Sequence, residues 1–336
     1  MLSRVANSLY WMSRYIERAE NVARIVDVNL QLLLDLRNLE ESRLAQYWMP
    51  IVESTGDDEL FLSLYSKPDG PGVTDFLTFR ADNPNSIISS IALARENARM
   101  VRDQITIEMW EEINRLHLFL RSPQARRVWK SSPEEFFQEI KSSSLYFQGL
   151  ADATIPHSEG WHFMQVGKYI ERADKTTRIL DVRHASVPAK GMPAPANQSE
   201  TLEWSAVLRS CSAWDSFRQI HAAEVDPRDV AEFLLLSEDF PRSVRFCMSA
   251  FDLALRRISG VPEGRYSNPA EKLSGRLLAE LQFSSVEDVF ERGLHDYLDI
   301  LQQRFDGIGG ALFATYIFQP FNNLTDEFQQ QQQQQE

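Results

Sequence analysis

The side chains best equipped for chemistry in this 336-residue chain are two glutamate–arginine pairs, Glu17-Arg18 and Glu171-Arg172. Each sits inside the pentapeptide Tyr-Ile-Glu-Arg-Ala, once over residues 15–19 and again over 169–173, an offset of 154. A carboxylate can act as general acid, general base or metal ligand, and a guanidinium is a permanent cation whose planar fork suits carboxylate or phosphate. The likeness continues: Arg24-Ile25 returns as Arg178-Ile179, and Asp27-Val28 as Asp181-Val182. Nine of the fourteen positions from Tyr15 to Val28 are identical, which shared helical composition does not produce. The chain therefore carries an internal duplication.

Three roles compete for these charges. On a solvated face, (i, i+4) pairs such as Glu20–Arg24 contribute a few tenths of a kcal/mol each, little reason to keep Glu, Arg, Arg and Asp in both copies. In a buried ionic network, loss of one partner costs about 3–5 kcal/mol, which holds the pattern without any chemistry. The third role is a ligand or catalytic site, where perturbed charges gather. Two further segments bear on the choice: Ala94-Arg95-Glu96-Asn97-Ala98-Arg99 with Arg102 beyond it, and Pro241-Arg242-Ser243-Val244-Arg245, read as opening a helix. If the Glu-Arg helices pack with these Arg-rich ones, Glu17 and Glu171 face Arg95, Arg99, Arg102, Arg242 and Arg245. The candidate charge network is thus Glu17, Arg18, Arg24, Asp27, Arg95, Glu96, Arg99, Arg102, Glu171, Arg172, Arg178, Asp181, Arg242 and Arg245. No catalytic residue and no metal ligand is assigned.

The elements that must position these residues read as helices. Gly and Pro number only 14 and 15, so long stretches run without breakers. Long helices are expected over 4–38, from Asn85 or Ser86 to about 103, and over 161–184. Shorter ones are expected over 43–48, 57–65, 134–150, 202–211, 228–236, 242–258, 269–283 and 286–305, and residues 108–120 either extend the second long helix or form one of their own. Residues 68–72 read as a loop, and a short strand is left open over 73–79. Projected at 100° per residue, Trp11, Tyr15, Ala19, Val22, Val26 and Leu33 share a face, while Ile16, Ile25, Val28, Leu32 and Leu34 fall outside it. A helix apolar almost all round is a central, buried one. The fold class is all-α: a large helical bundle with an internal duplication of a long central helix pair. Two pseudo-repeats are expected, about 1–155 and 156–320, with a linker near 187–198 and a disordered polyglutamine tail over 321–336.

Composition narrows the function classes. A formal charge of −13 repels phosphate backbones, so no nucleic-acid partner is expected. Two cysteines, Cys211 and Cys247, make no disulfide framework and read as small buried hydrophobes. No signal peptide and no membrane span is read; the uncharged stretch 307–325 reads as a buried C-terminal segment, and the expected location is cytoplasmic. P-loop, GxGxxG and GxSxG signatures are absent, and no cofactor is expected. Glu159-x-x-His162 has di-iron spacing but occurs once, and His221-x-x-Glu224 is reversed. Trp11, Trp161, Trp204 and Trp214 read as core or interface anchors. Leu145-Tyr146-Phe147-Gln148-Gly149 looks like an engineered protease site, but Ser143 stands where that site needs an acid, so it is read as native.

The two Tyr-Ile-Glu-Arg-Ala copies, the Ala-Arg-Glu-Asn-Ala-Arg segment and Glu159-Gly160-Trp161 together resemble the alpha-E domain family of bacterial helical domains, over roughly residues 1–320. The resemblance implies a setting. Such domains stand beside, or are fused to, circularly permuted ATP-grasp proteins and transglutaminase-like peptidases, which suggests peptide or amide-bond formation and processing. Two functions follow as expectations. One is an accessory helical subunit that docks on an ATP-grasp partner and positions a substrate. The other is an enzyme or an anion- or metal-binding protein, with Glu17 and Glu171 as its carboxylates and a polar pocket lined by both repeats.

Overall fold

The computed structural model describes residues 1–35, 41–183, 198–221 and 225–318, and every regular element among them is a helix. In the first half these are α1 (Ser3–Asp35), α2 (Glu41–Glu53), α3 (Asp58–Leu64), α4 (Gly70–Phe79), α5 (Ile87–Met100), α6 (Ile107–Arg121), α7 (Pro123–Ser131) and α8 (Pro133–Thr154). The second half holds α9 (Glu159–Asp181), α10 (Gln198–Ser210), α11 (Trp214–Ile220), α12 (Pro227–Leu236), α13 (Val244–Ser259), α14 (Pro269–Phe283), α15 (Val286–Arg292) and α16 (Leu294–Leu312). A π-helical turn over Phe313–Ile317 extends α16. The fold is the expected all-α bundle.

The duplicated helices α1 and α9 form the central pair. Contacts advance in step along both, from Tyr10 against Gly167 to Glu17 with Arg172, so the helices run parallel and equivalent residues meet at one level. Glycine is required at 167, because a methyl group there would lie 2.3 Å from the Tyr10 carbonyl oxygen. Around this pair the halves repeat an arrangement: α5 packs on α1 as α13 packs on α9, and α8 lies along α1 as α16 lies along α9. Helices α5 and α13 also start alike. Pro84-Asn85-Ser86 and Pro241-Arg242-Ser243 each end in a serine N-cap, whose hydroxyl accepts from the backbone N–H of Ser89 or Phe246. That bond satisfies one of the donors a helix start leaves unpaired.

One apolar cluster runs through both halves, with Phe61, Phe76, Phe136, Trp204, Phe217 and Phe251 fully buried in it. A second gathers Leu9, Met12 and Ile16 of α1 with Ala94 and Ala98 of α5 and Phe163 and Met164 of α9. Trp204 is a core anchor as read, whereas Trp11 and Trp214 are half-buried. Both cysteines are free and buried.

Several expectations are corrected. Residues 70–79 are α4, neither loop nor strand: Asp69 caps the helix from Gly72 N–H at 2.8 Å, and Pro71 lies in the first turn, where proline costs no hydrogen bond. The stretch 286–305 is broken by Gly293, whose φ of +97° suits glycine. Helix α11 was not anticipated. The segment after Gly307 buries Ile308 and Leu312 but leaves Phe313 and Phe318 exposed. The last residues of the helix expected to reach 38, all but residue 198 of the linker, Glu224 and the polyglutamine tail lie outside the described residues. Among those described, no helix is long and apolar enough to cross a membrane.

Candidate functional site

Where α1 and α9 lie side by side, the two motifs exchange partners. Glu17 accepts from Arg172 Nε and Nη2, both at 2.8 Å. Glu171 accepts from Arg18 Nε at 2.6 Å and Nη2 at 3.1 Å. Each copy's carboxylate is gripped by the other copy's guanidinium, in the forked geometry that makes such pairs strong. Parallel packing about a local two-fold brings position n of one copy beside its equivalent in the other, so adjacent Glu and Arg cross-pair.

Both carboxylates are fully buried and further bonded. Glu17 also accepts from Arg242 Nη1 at 2.9 Å, Gln148 Nε2 at 3.0 Å and Asn21 Nδ2 at 3.3 Å. Glu171 also accepts from Arg14 Nε at 2.7 Å. Burial alone pushes the Glu17 carboxyl upward, but Arg172 and Arg242 outweigh it and hold it at about 2. Burial and then Arg18 and Arg14 act on Glu171 in the same opposed way, and it stays well below the carboxylate range. A carboxylate held ionised with its lone pairs occupied can neither give nor take a proton near neutrality.

The rest of the candidate network divides. Arg24 bonds Glu20 on its own helix at 2.9 Å, and Arg178 bonds Asp174 likewise at 2.9 and 3.0 Å. Asp27 holds Lys141 of α8 at 2.8 Å, and Asp181 pairs with His295 Nδ1 of α16 at 2.8 Å, so the repeated aspartates tether equivalent outer helices. Arg242 reaches both Glu17 and Glu20, but from the turn before α13, not from the helix as read.

Arg95, Glu96, Arg99, Arg102 and Arg245 do not join. Helix α5 turns Ile87, Ser90, Ile91, Ala94 and Ala98 inward, a 3.6-residue stripe that leaves its arginines on other faces. Arg95 bonds Asn114 at 2.8 Å, Arg95 and Arg102 lie over the Trp110 ring, and Glu96 pairs with Arg99. Arg245 bonds Glu238. The partners the reading missed are Arg14, Asn21, Gln148 and Ser144, the last donating to Glu20 at 2.6 Å, with Asn85, which accepts from Arg18 at 2.8 Å. The repeated Pro-x-Ser turns could have pointed to Asn85 and Arg242. Gln148, within the protease-like string, is part of the buried network.

The two sides of the network differ. On the Glu17 side, α8 inserts Gln148 and Ser144. On the Glu171 side a cleft of about 400 Å³ opens between the repeats. Arg14 and Arg18 of α1 and Asp174, Lys175 and Arg178 of α9 line it, and α16 contributes Asp306, Gly309 and Gly310. A methyl group added at either glycine would meet nothing within 4 Å. Trp11, Phe305, Leu312, Phe313 and Ile317 give it an apolar stretch, and Thr55 and Asn85 complete the polar side. Lys175 lies 3.4 Å from Asp174, and its ammonium is pushed down by burial against the pull of Asp174 and Glu171. Among the described residues no group of His, Cys, Asp and Glu is placed to hold a metal ion.

Residues 1–317 match a family described as a predicted alpha-helical domain with a conserved ER motif. An uncharacterized protein of Mycobacterium bovis is 26% identical over 330 residues, covering 92% of this chain and 35% of the relative. Uncharacterized proteins from two strains of Mycobacterium tuberculosis are 26% and 25% identical, with the same coverage. The chain thus spans about a third of the length of these relatives. No solved structure matches it.

Proposed function

From the premise that this chain belongs to the Alpha-E family, we propose that it is an accessory helical subunit of an ATP-grasp-linked system that forms or processes peptide or other amide bonds. It works by holding a substrate or partner, and the reaction belongs to that partner, a circularly permuted ATP-grasp protein, with a transglutaminase-like peptidase as a further member of the system. The observation that carries this reading is the division of labour at the motif. Its carboxylates are sealed and saturated, while the guanidiniums beside Glu171 border an open cleft. That arrangement suits recognition more than proton transfer. The ATP-grasp setting comes from the family resemblance, and about two thirds of each mycobacterial relative lies outside the match, room for other working parts. Cytoplasm is the proposed compartment, where both cysteines stay reduced.

The test is co-elution of the purified chain with a circularly permuted ATP-grasp protein encoded beside it. A complex at micromolar concentration is expected, and separate elution at that concentration overturns the reading. A small-anion-binding protein acting on its own is the second reading, favoured by the cleft itself.

A further inference from the structure

We propose that the cleft between the repeats binds a monocarboxylate with an apolar arm, of the class of a peptide C-terminus or an N-acylated amino acid. The inference rests on the cleft being a binding site and is independent of the ATP-grasp association.

Charge comes first. The guanidiniums of Arg14, Arg18 and Arg178 match the three carboxylates of Glu171, Asp174 and Asp306, and Lys175, when protonated beside Asp174, adds a fourth cation. One positive charge is left over. A single carboxylate neutralises it, whereas a phosphate dianion would bring a second charge into a half-enclosed site with nothing to balance it.

Donors come next. Arg14 uses Nε on Glu171 and Nη1 on the Tyr10 hydroxyl, and Arg178 uses only Nε on Asp174. Nη2 of Arg14 and both terminal nitrogens of Arg178 therefore remain for a ligand. The buried acids fix the planes of these guanidiniums in advance, so little side-chain entropy is lost on binding.

The third element is shape. Trp11, Phe305, Phe313 and Ile317 offer an apolar wall beside the charged floor, and about 400 Å³ falls in the range of small-ligand pockets. Gly309 and Gly310 line this space without side chains, and a methyl group at either would meet nothing within 4 Å.

Isothermal titration of the full chain with N-acetyl-L-phenylalanine, its primary amide and inorganic phosphate tests the proposal, on the wild type and on Gly310→Gln. The variant puts a side chain into the opening without touching a charged residue, and replacing a helical glycine should leave the unfolding midpoint equal or higher. The acid should bind at millimolar concentration or better, the amide at least about tenfold more weakly, and Gly310→Gln should weaken the acid by a similar factor. Equal binding of acid and amide, acid binding unchanged in the folded Gly310→Gln variant, preference for phosphate, or no binding of the acid would each overturn it. An ATP-grasp complex that forms while the acid fails to bind overturns the ligand class and leaves the accessory role standing. Acid binding without a complex does the reverse.

Discussion

Glu171 has no water to turn to, so its charge persists only because Arg14 and Arg18 surround it. Glu171→Gln leaves two guanidiniums facing a neutral amide, and the expected loss is about 3–5 kcal/mol in urea unfolding. Combining it with Arg18→Met should give a loss well short of the sum, since both act on one interaction. A value near zero for the single variant would mean the pair is not sealed. The pH dependence has two signs. Glu17, at about 2 in the fold against an ordinary 4.5, contributes stability that is complete above pH 4.5 and fades as pH falls toward 2; Glu17→Gln should flatten that acid limb. Lys168, the residue just before the second motif, is buried and pushed to about 8 by desolvation and then by Arg172, and it behaves oppositely. Burying its cation costs stability in full below pH 8, and the cost fades as pH rises toward 10.5. Lys168→Met should therefore stabilise the fold at pH 7, by up to roughly 3 kcal/mol, with the gap narrowing above pH 8. The wild-type-minus-variant difference is the quantity to measure, because the buried thiols, raised by burial to about 12, remove stability above pH 9.

At the scale of elements, the same substitution should have opposite signs at two glycines. In Gly167→Ala the new methyl meets the Tyr10 backbone at 2.3 Å, an atom that moves only if α1 and α9 separate. Overpacking of that kind costs about 1–3 kcal/mol. In Gly307→Ala the methyl meets nothing within 4 Å of its position in α16, so the higher helix propensity of alanine should add about 0.5–1 kcal/mol. Thermal unfolding of the two variants checks both, and a stabilised Gly167→Ala would mean the central helices do not touch there. The contrast also explains why the two sides of the motif differ. One outer helix brings Gln148 to the network and the other brings glycines to a cleft, so a nearly symmetric frame carries one filled side and one open side.

For the molecule as a whole, the cross-pairing makes the halves interdependent. Glu17 finds its guanidiniums on Arg172 and Arg242, and Glu171 finds its own on Arg14 and Arg18. Either half alone would hold a carboxylate and arginines with no counter-charge and one bare face of its central helix. Fragments 1–155 and 156–318 should lack cooperative unfolding when separate and regain helical circular dichroism when mixed. A half that unfolds cooperatively by itself would show that the network is not what joins them.

Much of this was legible in the residues. Sparse glycine and proline, and apolar residues almost all round 4–38, make helices whatever surrounds them, because backbone hydrogen bonding is local. The repeat of Tyr-Ile-Glu-Arg-Ala likewise announced two equivalent helices with a charge retained in each. Which charges would meet was not local. At 100° per residue Glu17, Glu20 and Arg24 lie opposite the face of α1 that carries Trp11, Tyr15 and Ala19, yet Glu17 and Glu20 are fully buried, because α8, α9 and the turn before α13 close over them. The arginines of α5 looked equally suited to the motif, but the stripe of Ile87, Ile91, Ala94 and Ala98 turned them outward. The sequence by itself determined that Glu and Arg recur in two central helices. Only the tertiary structure decided that they pair across the repeat and leave a cleft on one side, since that depends on the parallel setting of α1 against α9 and on which side chains the outer helices bring to each carboxylate.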